Sequence, residues 1–495
     1  MAKADSEVTQ KGTVMPGAPP VNTGAPSEVE LYRAERRVLE IQTKLHLWSG
    51  EDVTRRFYDL FNLVADPAFL LVAWERVKSN TGSRSAGVDG MSVTAARARA
   101  GGELAFLNDI REALRQQTFR PLPVRERLIP KPGSAKKRRL GIPTVTDRVV
   151  QASLKLVLEP IFEAEFMPSS YGFRPRRRAQ DAIAEIVYYN TGNRQYRWVL
   201  DADIEACFDE IDHTALIGLV RRRIADKRVL ALVKTFLKAG ILSELGQLRG
   251  TNTGTPQGGI LSPLLANIAL SVLDEHIDKA WKPQVERAKR KRHGLANYKI
   301  VRYADDFVVM VDGQRHHVEQ LREEISDVLA GIGLRLSAEK TSIVHIDEGF
   351  DFLGFRIQRR RKRGTGQRHV YTIPSRAAQQ RARNRIKELT SRIKHPSFSV
   401  LLLRLNRFLR GWSAYFKYGV SSQVFESIRS YAWQRIAIWF RRELRMRWTA
   451  IRKRYMTGWE FRAPGGLTLF RPQVAGVRYR YRGTLIPAPW TPTPA

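Results

Sequence analysis

The segment Tyr298-Lys-Ile-Val-Arg-Tyr-Ala-Asp-Asp-Phe-Val-Val-Met-Val311 decides the fold of this chain. Two runs of β-forming apolar residues enclose Asp305 and Asp306, which predicts a hairpin with two carboxylates at its turn. Neighbouring carboxylates repel each other, and hard divalent cations are their usual partners in proteins. A polar Asp-Asp turn without a chemical role is the alternative for so short a motif. The rest of the chain must decide between the two.

A second acidic strand end precedes the hairpin in the sequence. The segment Arg197-Trp-Val-Leu-Asp-Ala-Asp-Ile204 carries Asp201 and Asp203 after apolar residues. If adjacent strands bring the two ends together, the carboxylates form a ligand set for two Mg²⁺ ions roughly 3.5–4 Å apart, as in nucleotidyl transfer. Strand alternation places Asp201 and Asp203 on the same face, so periodicity alone does not choose between them.

Composition indicates a polyanionic partner. The chain has 495 residues with 84 Lys and Arg against 49 Asp and Glu, a net charge of +35. Nucleic acid is favoured over a membrane, because no apolar stretch approaches the roughly 18–20 residues of a spanning helix. A ribosome-associated or merely basic protein is the alternative. Cys207 is the only cysteine, which excludes an internal disulfide and a multi-cysteine zinc site. With no apolar leader at the N-terminus, these features favour a cytoplasmic protein.

The chain changes character along its length. Residues 1–28 are rich in Ala, Pro, Gly, Ser and Thr, which predicts disorder. An amphipathic pattern predicts a helix from Val29 to about Leu47. Residues 376–460 are predicted to be almost entirely helical. Residues 401–460 carry basic residues among aromatic ones, as suits phosphate contact and base stacking. A helix bundle with an aromatic core and solvated arginines is the alternative. The proline-rich end from Pro487 is predicted to be a loose tail.

Nine sequence blocks in order resemble bacterial group II intron-encoded reverse transcriptase/maturases, over most of residues 80–420. The blocks are Ala86-Gly-Val-Asp-Gly90, Ile129-Pro-Lys-Pro132 with Arg138-Arg-Leu-Gly-Ile-Pro143, Ser170-Tyr-Gly-Phe-Arg-Pro175, Asp203-Ile-Glu-Ala-Cys-Phe-Asp-Glu-Ile-Asp-His213, Gly254-Thr-Pro-Gln-Gly-Gly-Ile-Leu-Ser-Pro263, Tyr303-Ala-Asp-Asp306, Leu336-Ser-Ala-Glu-Lys-Thr341, Phe352-Leu-Gly-Phe355 and Arg410-Gly-Trp412 followed by Tyr415-Phe416. One block alone would be a weak signal, whereas the ordered series is specific.

The resemblance implies an α/β (α+β) right-hand polymerase, with a helical fingers extension, an antiparallel-sheet palm and an α-helical thumb. Residues 29–375 would form the fingers and palm, and residues 376–460 the thumb/maturase domain (domain X), which binds RNA. Residues 461–495 would be a short basic segment and a Pro-rich tail. Many family members end with a DNA-binding segment and an HNH endonuclease, and we expect this endonuclease to be absent here.

The resemblance also assigns the acidic residues. Asp203, Asp305 and Asp306 would be the polymerase carboxylates, with Asp203 and Asp305 as the main metal ligands and Ile204 also in the metal-binding set. Asp203 is preferred to Asp201 by its distance from Phe208. This phenylalanine falls where the family places the ring that excludes a ribose 2′-hydroxyl, although a simple core aromatic is the alternative.

Further positions are assigned by the same comparison. Lys131 and Arg138 would grip the triphosphate of the incoming deoxynucleotide, and Gln257 would line the nucleotide and template pocket. Lys340 aligns with a lysine proposed to act as an acid toward the pyrophosphate, with a surface salt bridge as the alternative. The nucleic-acid contacts are assigned to the following residues: Arg174, Arg410, Trp412, Tyr415 and Lys417.

The expected function is that of a Mg²⁺-dependent RNA-directed DNA polymerase and maturase of a group II intron. Its partners would be the intron RNA, a DNA target and a primer, with dNTPs as substrates, two Mg²⁺ ions as cofactor, no membrane and a possible homodimer. It would work in the bacterial cytoplasm, associated with the nucleoid. One alternative is a related enzyme domesticated for DNA repair or phage defence. Another is an RNA-binding splicing cofactor with an inert polymerase site.

Overall fold

A computed structural model describes residues 24–130, 137–191, 196–251, 253–255, 258–362, 364–391 and 395–491. The expectations for residues 1–23, for Lys131 and for Gln257 therefore lie outside the described residues. Within them the chain has the mixed α/β architecture with antiparallel sheets that the sequence predicts. In the described part of the chain, no helix combines the length and the apolar character needed to cross a bilayer.

The first half of the chain is mainly helical. Its helices are α1 (Glu28–Glu51), α2 (Phe61–Val64), α3 (Pro67–Ser79), α4 (Val93–Arg97), α5 (Gly102–Arg115), α6 (Val145–Glu163), α7 (Ala179–Tyr189), α8 (Cys207–Glu210), α9 (His213–Arg223) and α10 (Lys227–Leu237). Helix α1 begins one residue before the predicted start, because Ser27 and Glu30 form a capping box. It also runs one turn beyond the predicted end. Helices α1, α3 and α6 pack against one another around a large apolar core.

The second half alternates helices and strands. The remaining helices are α11 (Ser262–Ala280), α12 (Gln284–Arg292), α13 (Arg315–Ala330), α14 (Arg376–Ser391), α15 (Phe398–Phe416), α16 (Ser422–Glu443) and α17 (Trp448–Tyr455). The strands are β1 (Val124–Pro130), β2 (Lys137–Ile142), β3 (Trp198–Asp203), β4 (Ile241–Leu242), β5 (Leu248–Arg249), β6 (Asn297–Tyr303), β7 (Asp306–Asp312), β8 (Ser342–His345), β9 (Phe350–Phe352), β10 (Phe355–Arg361), β11 (Arg368–Pro374), β12 (Met456–Thr457) and β13 (Glu460–Phe461).

The central sheet has the strand order β6-β7-β3-β8, and all its neighbours are antiparallel. Phe307, Val309 and Val311 of β7 enter the core that α11 and α13 share. Val308 and Met310 enter a second core, which contains side chains of α7 and of β9 and β10. Both faces of the sheet are covered, which explains why β7 is a continuous apolar run without polar alternation.

Two smaller sheets flank the central one. Strands β1 and β2 form a hairpin, and β4 joins β1 in parallel, giving the order β2-β1-β4-β5. Strands β9, β10 and β11 form an antiparallel sheet, which leads into α14. Helices α14 to α17 then surround a separate apolar core that includes Leu401, Leu405 and Phe440. The helical character predicted for residues 376–460 is therefore present in the structure.

The C-terminal segment returns to the first half of the chain. Tyr479 and Arg482 bond to Asp181 on α7, at 2.9 and 3.0 Å. The Trp490 indole donates to Gln42 of α1 at 3.1 Å and is only 5% exposed. The prediction of a loose tail from Pro487 is therefore wrong as far as residue 491. Proline content alone did not reveal a buried tryptophan anchor.

Candidate active site

The acidic hairpin turn is tight and strained. Tyr303 pairs with Asp306 in the β6–β7 register, so the loop consists of Ala304 and Asp305 alone. Two-residue hairpin loops require a positive φ at one or both loop positions, and Ala304 has φ +60°. A side chain in this region costs about 1–2 kcal/mol. Neighbouring contacts must therefore hold the turn in place.

The other acidic strand end lies beside this turn. In the β3–β7 register Asp203 is paired with Asp306, whereas Asp201 is paired with Val308. Asp203 is thus the carboxylate at the end of β3, next to the turn, and Asp201 lies two residues further into the sheet. The topology brings Asp203, Asp305 and Asp306 together at one end of the central sheet. Their catalytic roles remain a prediction.

Burial and mutual repulsion raise the pKa values at this sheet end. Burial, followed by the charges of Asp305 and Asp203, raises the pKa of Asp306 to about 7. Burial is also the main cause that raises the pKa of Asp305, and Asp203 adds to it, while the charges of Arg138 and Lys340 act in the opposite direction. Three acidic groups this close together need nearby positive charges to stabilise their ionised forms.

Lys340 supplies part of that charge. Its Nζ donates to Asp203 Oδ2 at 2.6 Å, and this hydrogen bond raises the pKa of the lysine. The lysine side chain is 63% exposed, so a bound substrate can reach it. The structure therefore places Lys340 with the acidic residues; its proposed role as an acid remains a prediction.

The carboxylates at this sheet end are suitable oxygen ligands for divalent cations. Crowded carboxylates with raised pKa values are the oxygen donors that hard cations bind. Among the described residues, however, no three Asp, Glu, His or Cys side chains are already arranged as a metal site. Ile204 has a hydrocarbon side chain, so only its main chain could bind a cation. The adjacent main-chain bonds, from Ser337 N to Asp203 O and from Glu205 N to Arg335 O, fix the backbone on both sides of it.

A buried arginine, Arg302, holds the turn by a hydrogen bond from inside the protein. Its side chain is fully buried, and Nη1 donates to the Ala304 carbonyl at 3.0 Å and to Asn267 Oδ1 at 2.9 Å. The same guanidinium forms a bidentate pair with Asp274, at 2.9 and 2.5 Å. Sequence reasoning missed this residue. An arginine inside an apolar strand, three residues before the acidic pair, was the available signal.

Gly172 also contacts the turn. A Cβ added at this glycine would lie 2.1 Å from the Ala304 nitrogen, so the two backbones touch directly. The neighbouring Tyr171 N donates to the Arg302 carbonyl at 2.8 Å, and Asn267 Nδ2 donates to the Gly172 carbonyl at 2.9 Å. The Ser170-Tyr-Gly172 block, which the sequence supplied only as a family motif, thus braces the strained turn.

Of the predicted nucleotide-binding residues, two can be located. Arg138 lies on β2, exposed, and its charge acts on Asp305. Phe208 is half-buried, and its ring contacts Phe173 edge-on at 6.3 Å between centroids. A Cβ at Gly258 would lie 2.4 Å from the Gly141 carbonyl oxygen, so the loop that contains this glycine packs closely on β2. Arg138 thus lies within electrostatic reach of the acidic sheet end. The contacts of Arg138 and Phe208 with a nucleotide stay predictions.

The predicted nucleic-acid contact at Arg174 needs correction. This arginine is 6% exposed and forms a bidentate ion pair with Glu163, at 2.8 and 2.9 Å. Its Nη1 also donates to the carbonyls of Met167 and Ser170. The guanidinium is therefore used inside the protein, where it fixes the loop before Gly172, and it does not face a nucleic acid strand.

The other predicted contacts divide between packing and surface. Trp412 lies against Phe425 of α16, with 5.7 Å between ring centroids, and so packs α15 on α16. Tyr415 is stacked on Phe355 of β10 at 5.6 Å and packs α15 on the β9–β11 sheet. Arg410 is exposed and lies over the ring of Phe470, and Lys417 is partly exposed. Of these four predicted contacts, Arg410 and Lys417 keep a charged surface available to phosphate.

Comparisons with known proteins give a consistent result. The family model for reverse transcriptase (RNA-dependent DNA polymerase) matches residues 129–357, and the model for the group II intron maturase-specific domain matches residues 379–456. Protein YkfC of Escherichia coli (strain K12) is 38% identical over 375 residues, which cover 72% of this chain and 96% of YkfC.

Two intron-associated proteins are also similar. The group II intron-encoded protein LtrA of Lactococcus lactis subsp. cremoris is 34% identical over 366 residues, or 63% of this chain and 59% of LtrA. An uncharacterised 91 kDa protein in the cob intron of Schizosaccharomyces pombe is 31% identical over 430 residues, or 74% of this chain and 51% of that protein. The chain thus spans little more than half the length of these two relatives.

Proposed function

Because this chain belongs to the group II intron-encoded reverse transcriptases and maturases, which are RNA-directed DNA polymerases, we propose that it binds an intron RNA, assists its splicing and copies it into DNA during retrohoming. The observation that carries the polymerase part is the pairing of Asp203 with Asp306 beside Asp305. The maturase-domain match carries the RNA part.

We assign the chemistry at the sheet end as follows. Asp203, Asp305 and Asp306 would hold two magnesium ions, and these ions would supply activation of the primer 3′-hydroxyl and neutralisation of the pyrophosphate charge. Arg138, exposed on β2, binds the triphosphate. Lys340 stays positively charged through its bond to Asp203 and stabilises the negative charge that develops on the leaving group.

Phe208 selects the sugar in this proposal. Its ring is half-buried against the large apolar core and meets Phe173 edge-on, so it cannot move aside without losing contacts. A rigid ring beside the bound sugar leaves no room for a ribose 2′-hydroxyl, and deoxynucleotides are accepted.

The thumb/maturase region, residues 376–460, binds the intron RNA in this proposal. Exposed arginines on α15 and α16, such as Arg410 and Arg442, supply phosphate contacts that need no sequence code. The target DNA and its primer then enter at the acidic sheet end.

Binding of the intron RNA tests the maturase part. The transcript that flanks the gene should bind more tightly than a scrambled RNA of equal length and composition at the same salt concentration. It should also splice faster with the protein than without it. Equal affinity for the two RNAs, together with no effect on splicing, would contradict the maturase role and favour a domesticated polymerase.

A further inference from the structure

A pocket lies at the end of the central sheet that is opposite to the acidic turn. It has a volume of about 640 Å³, within the range of sites for small organic ligands. Asn297 and Asp312, which are paired at the far end of β6 and β7, form part of its wall. A seven-residue strand separates the pocket from the turn by roughly 20 Å. It is thus distinct from the polymerase site.

Aromatic rings form the inner surface of this pocket. Tyr189 meets Trp281 edge-on at 5.5 Å, and Tyr196 lies nearly parallel to Trp281, with 6.5 Å between ring centroids. Tyr188 stands at the rim with 39% of its surface exposed. We call these four residues with Arg287 and Asn297 the aromatic pocket. Tyr189 and Tyr196 are buried in the wall, and Arg287 and Lys299 lie over the Trp281 ring. The exposed ring of Tyr188 is the surface on which a nucleobase can stack.

Two polar atoms in the aromatic pocket have unmet hydrogen-bonding capacity. Asn297 is 3% exposed; its Nδ2 donates to the Arg287 carbonyl at 3.2 Å, but its Oδ1 has no partner among the described residues. Arg287 Nε, a hydrogen-bond donor, also has no partner among the described residues. The Arg287 guanidinium lies 4.2 Å from the centroid of the Trp281 ring. An unpaired buried polar atom has a cost in stability. A ligand with both a donor and an acceptor would relieve this cost.

Helix α12 lines the pocket and is strongly basic. Its nine residues, Gln-Val-Glu-Arg-Ala-Lys-Arg-Lys-Arg, contain five basic residues and one acidic residue. Lys289, Lys291 and Arg292 are exposed, and Lys291 also pairs with Asp312 at 3.0 Å. Cations next to an aromatic pocket suit a ligand that combines a base with flanking phosphates.

We propose that the aromatic pocket binds an unpaired nucleotide of an RNA strand, whose flanking phosphates lie on α12. The base stacks on the exposed ring of Tyr188 at the rim, and a shift of the buried Asn297 and Arg287 side chains toward the pocket lets Oδ1 and Nε bond to the edge of the base. A fully paired duplex keeps its bases stacked inside the helix and cannot enter. The choice of RNA rests on the proposed function, because an intron RNA offers bulges and loops.

Binding of two RNA hairpins at one salt concentration tests this proposal, one fully paired and one with a single bulged nucleotide. Tyr188→Ala should weaken binding of the bulged hairpin at least fivefold, since one stacked base contributes about 1–3 kcal/mol, and should leave the paired hairpin unchanged. Lys289→Ala with Arg292→Ala should weaken both. A matched double variant on α10, Lys227→Ala with Lys234→Ala, loses the same charge and should change neither.

Cross-linking locates the base directly. A 5-iodouridine at the bulge should cross-link on irradiation to aromatic-pocket residues, identified by mass spectrometry. Cross-links found only outside the pocket would overturn the proposal, as would an equal effect of Tyr188→Ala on both hairpins. A DNA hairpin with the same bulge that bound equally well and was equally sensitive would overturn the assignment to RNA.

Primer extension on poly(rA)/oligo(dT) separates this inference from the proposed function. That substrate has no bulge, so Tyr188→Ala should extend it at the wild-type rate. A wild-type protein that failed to extend the primer would count against the polymerase and leave the pocket open to the binding test. Slower extension by Tyr188→Ala would show that the pocket serves the polymerase site, against the proposal.

Discussion

At the scale of single residues, the charge at the acidic sheet end has a measurable cost. Burial and the neighbouring carboxylates raise the pKa of Asp306 to about 7, well above the ordinary value near 3.9. Without a divalent cation, the unfolded chain ionises this group at a lower pH than the folded chain does. The free energy of unfolding therefore falls as the pH rises from about 4 to about 7.

Asp306→Asn removes this cost and should stabilise the metal-free protein. We expect a higher Tm than that of the wild type at pH 8 in a chelating buffer, with a smaller gain at pH 5, measured by calorimetry. Asp109→Asn, at a side chain that is 63% exposed, serves as the control and should show no pH-dependent gain. A lower Tm for Asp306→Asn at pH 8 would contradict the account of the crowded carboxylates.

The ring of Phe208 provides a second test at this scale. Phe208→Ala should reduce the discrimination against ribonucleotides at least about tenfold, which corresponds to about 1.4 kcal/mol. Single-nucleotide incorporation with dTTP and UTP measures the ratio. Phe208→Tyr keeps the ring and should retain the preference for dTTP. If the alanine variant retained full discrimination, another side chain would have to select the sugar.

At the scale of structural elements, the contact between the 170–172 loop and the β6–β7 turn holds the acidic residues in position. A Cβ at Gly172 would lie 2.1 Å from the Ala304 nitrogen, so Gly172→Ala must displace the turn or the loop. We expect primer extension to fall at least about a hundredfold, with a lower Tm. The control is Gly218→Ala on α9, where nothing lies within 4 Å of the added methyl. This variant should keep activity and gain about 0.5–1 kcal/mol of stability.

The same elements show how far the sequence could predict the site. The apolar runs around Asp305 and Asp306 predicted the hairpin correctly, because β-forming residues and a short acidic turn are local signals. The choice of Asp203 over Asp201 required the family motif, since both face the same way and only the β3–β7 register separates them. Arg302 was missed and Arg174 was assigned to the wrong partner. Whether an arginine faces solvent or a buried carboxylate depends on tertiary contacts, which a single sequence does not show.

At the scale of the whole molecule, the C-terminal segment joins distant parts of the chain. Trp490→Ala removes an indole that is 5% exposed and bonded to α1, and should lower the free energy of unfolding by about 3 kcal/mol. Trp459→Ala, at a tryptophan that is 70% exposed, should change it by less than about 1 kcal/mol. Chemical denaturation measures both. Equal effects would mean that the segment does not anchor the fold.

The overall architecture was more predictable than these long-range contacts. Charge, the order of the motifs and the helical character of residues 376–460 all pointed to the same family and fold. The return of residues 474–491 to α7 and α1 was not predictable, because Tyr479, Arg482 and Trp490 meet partners some 300 residues or more away in the sequence. Composition suggested a loose tail there, and composition carries no information on such partners.

The central claim is that the carboxylates at the end of the central sheet perform nucleotide transfer with divalent ions. Primer extension on poly(rA)/oligo(dT) with Mg²⁺, comparing the wild type with Asp305→Asn, tests it most directly. The wild type should extend the primer, and the isosteric variant should be slower by at least about a thousandfold, the effect of several kcal/mol, while it binds RNA with unchanged affinity. Comparable extension by both proteins, or none by the wild type, would contradict the claim.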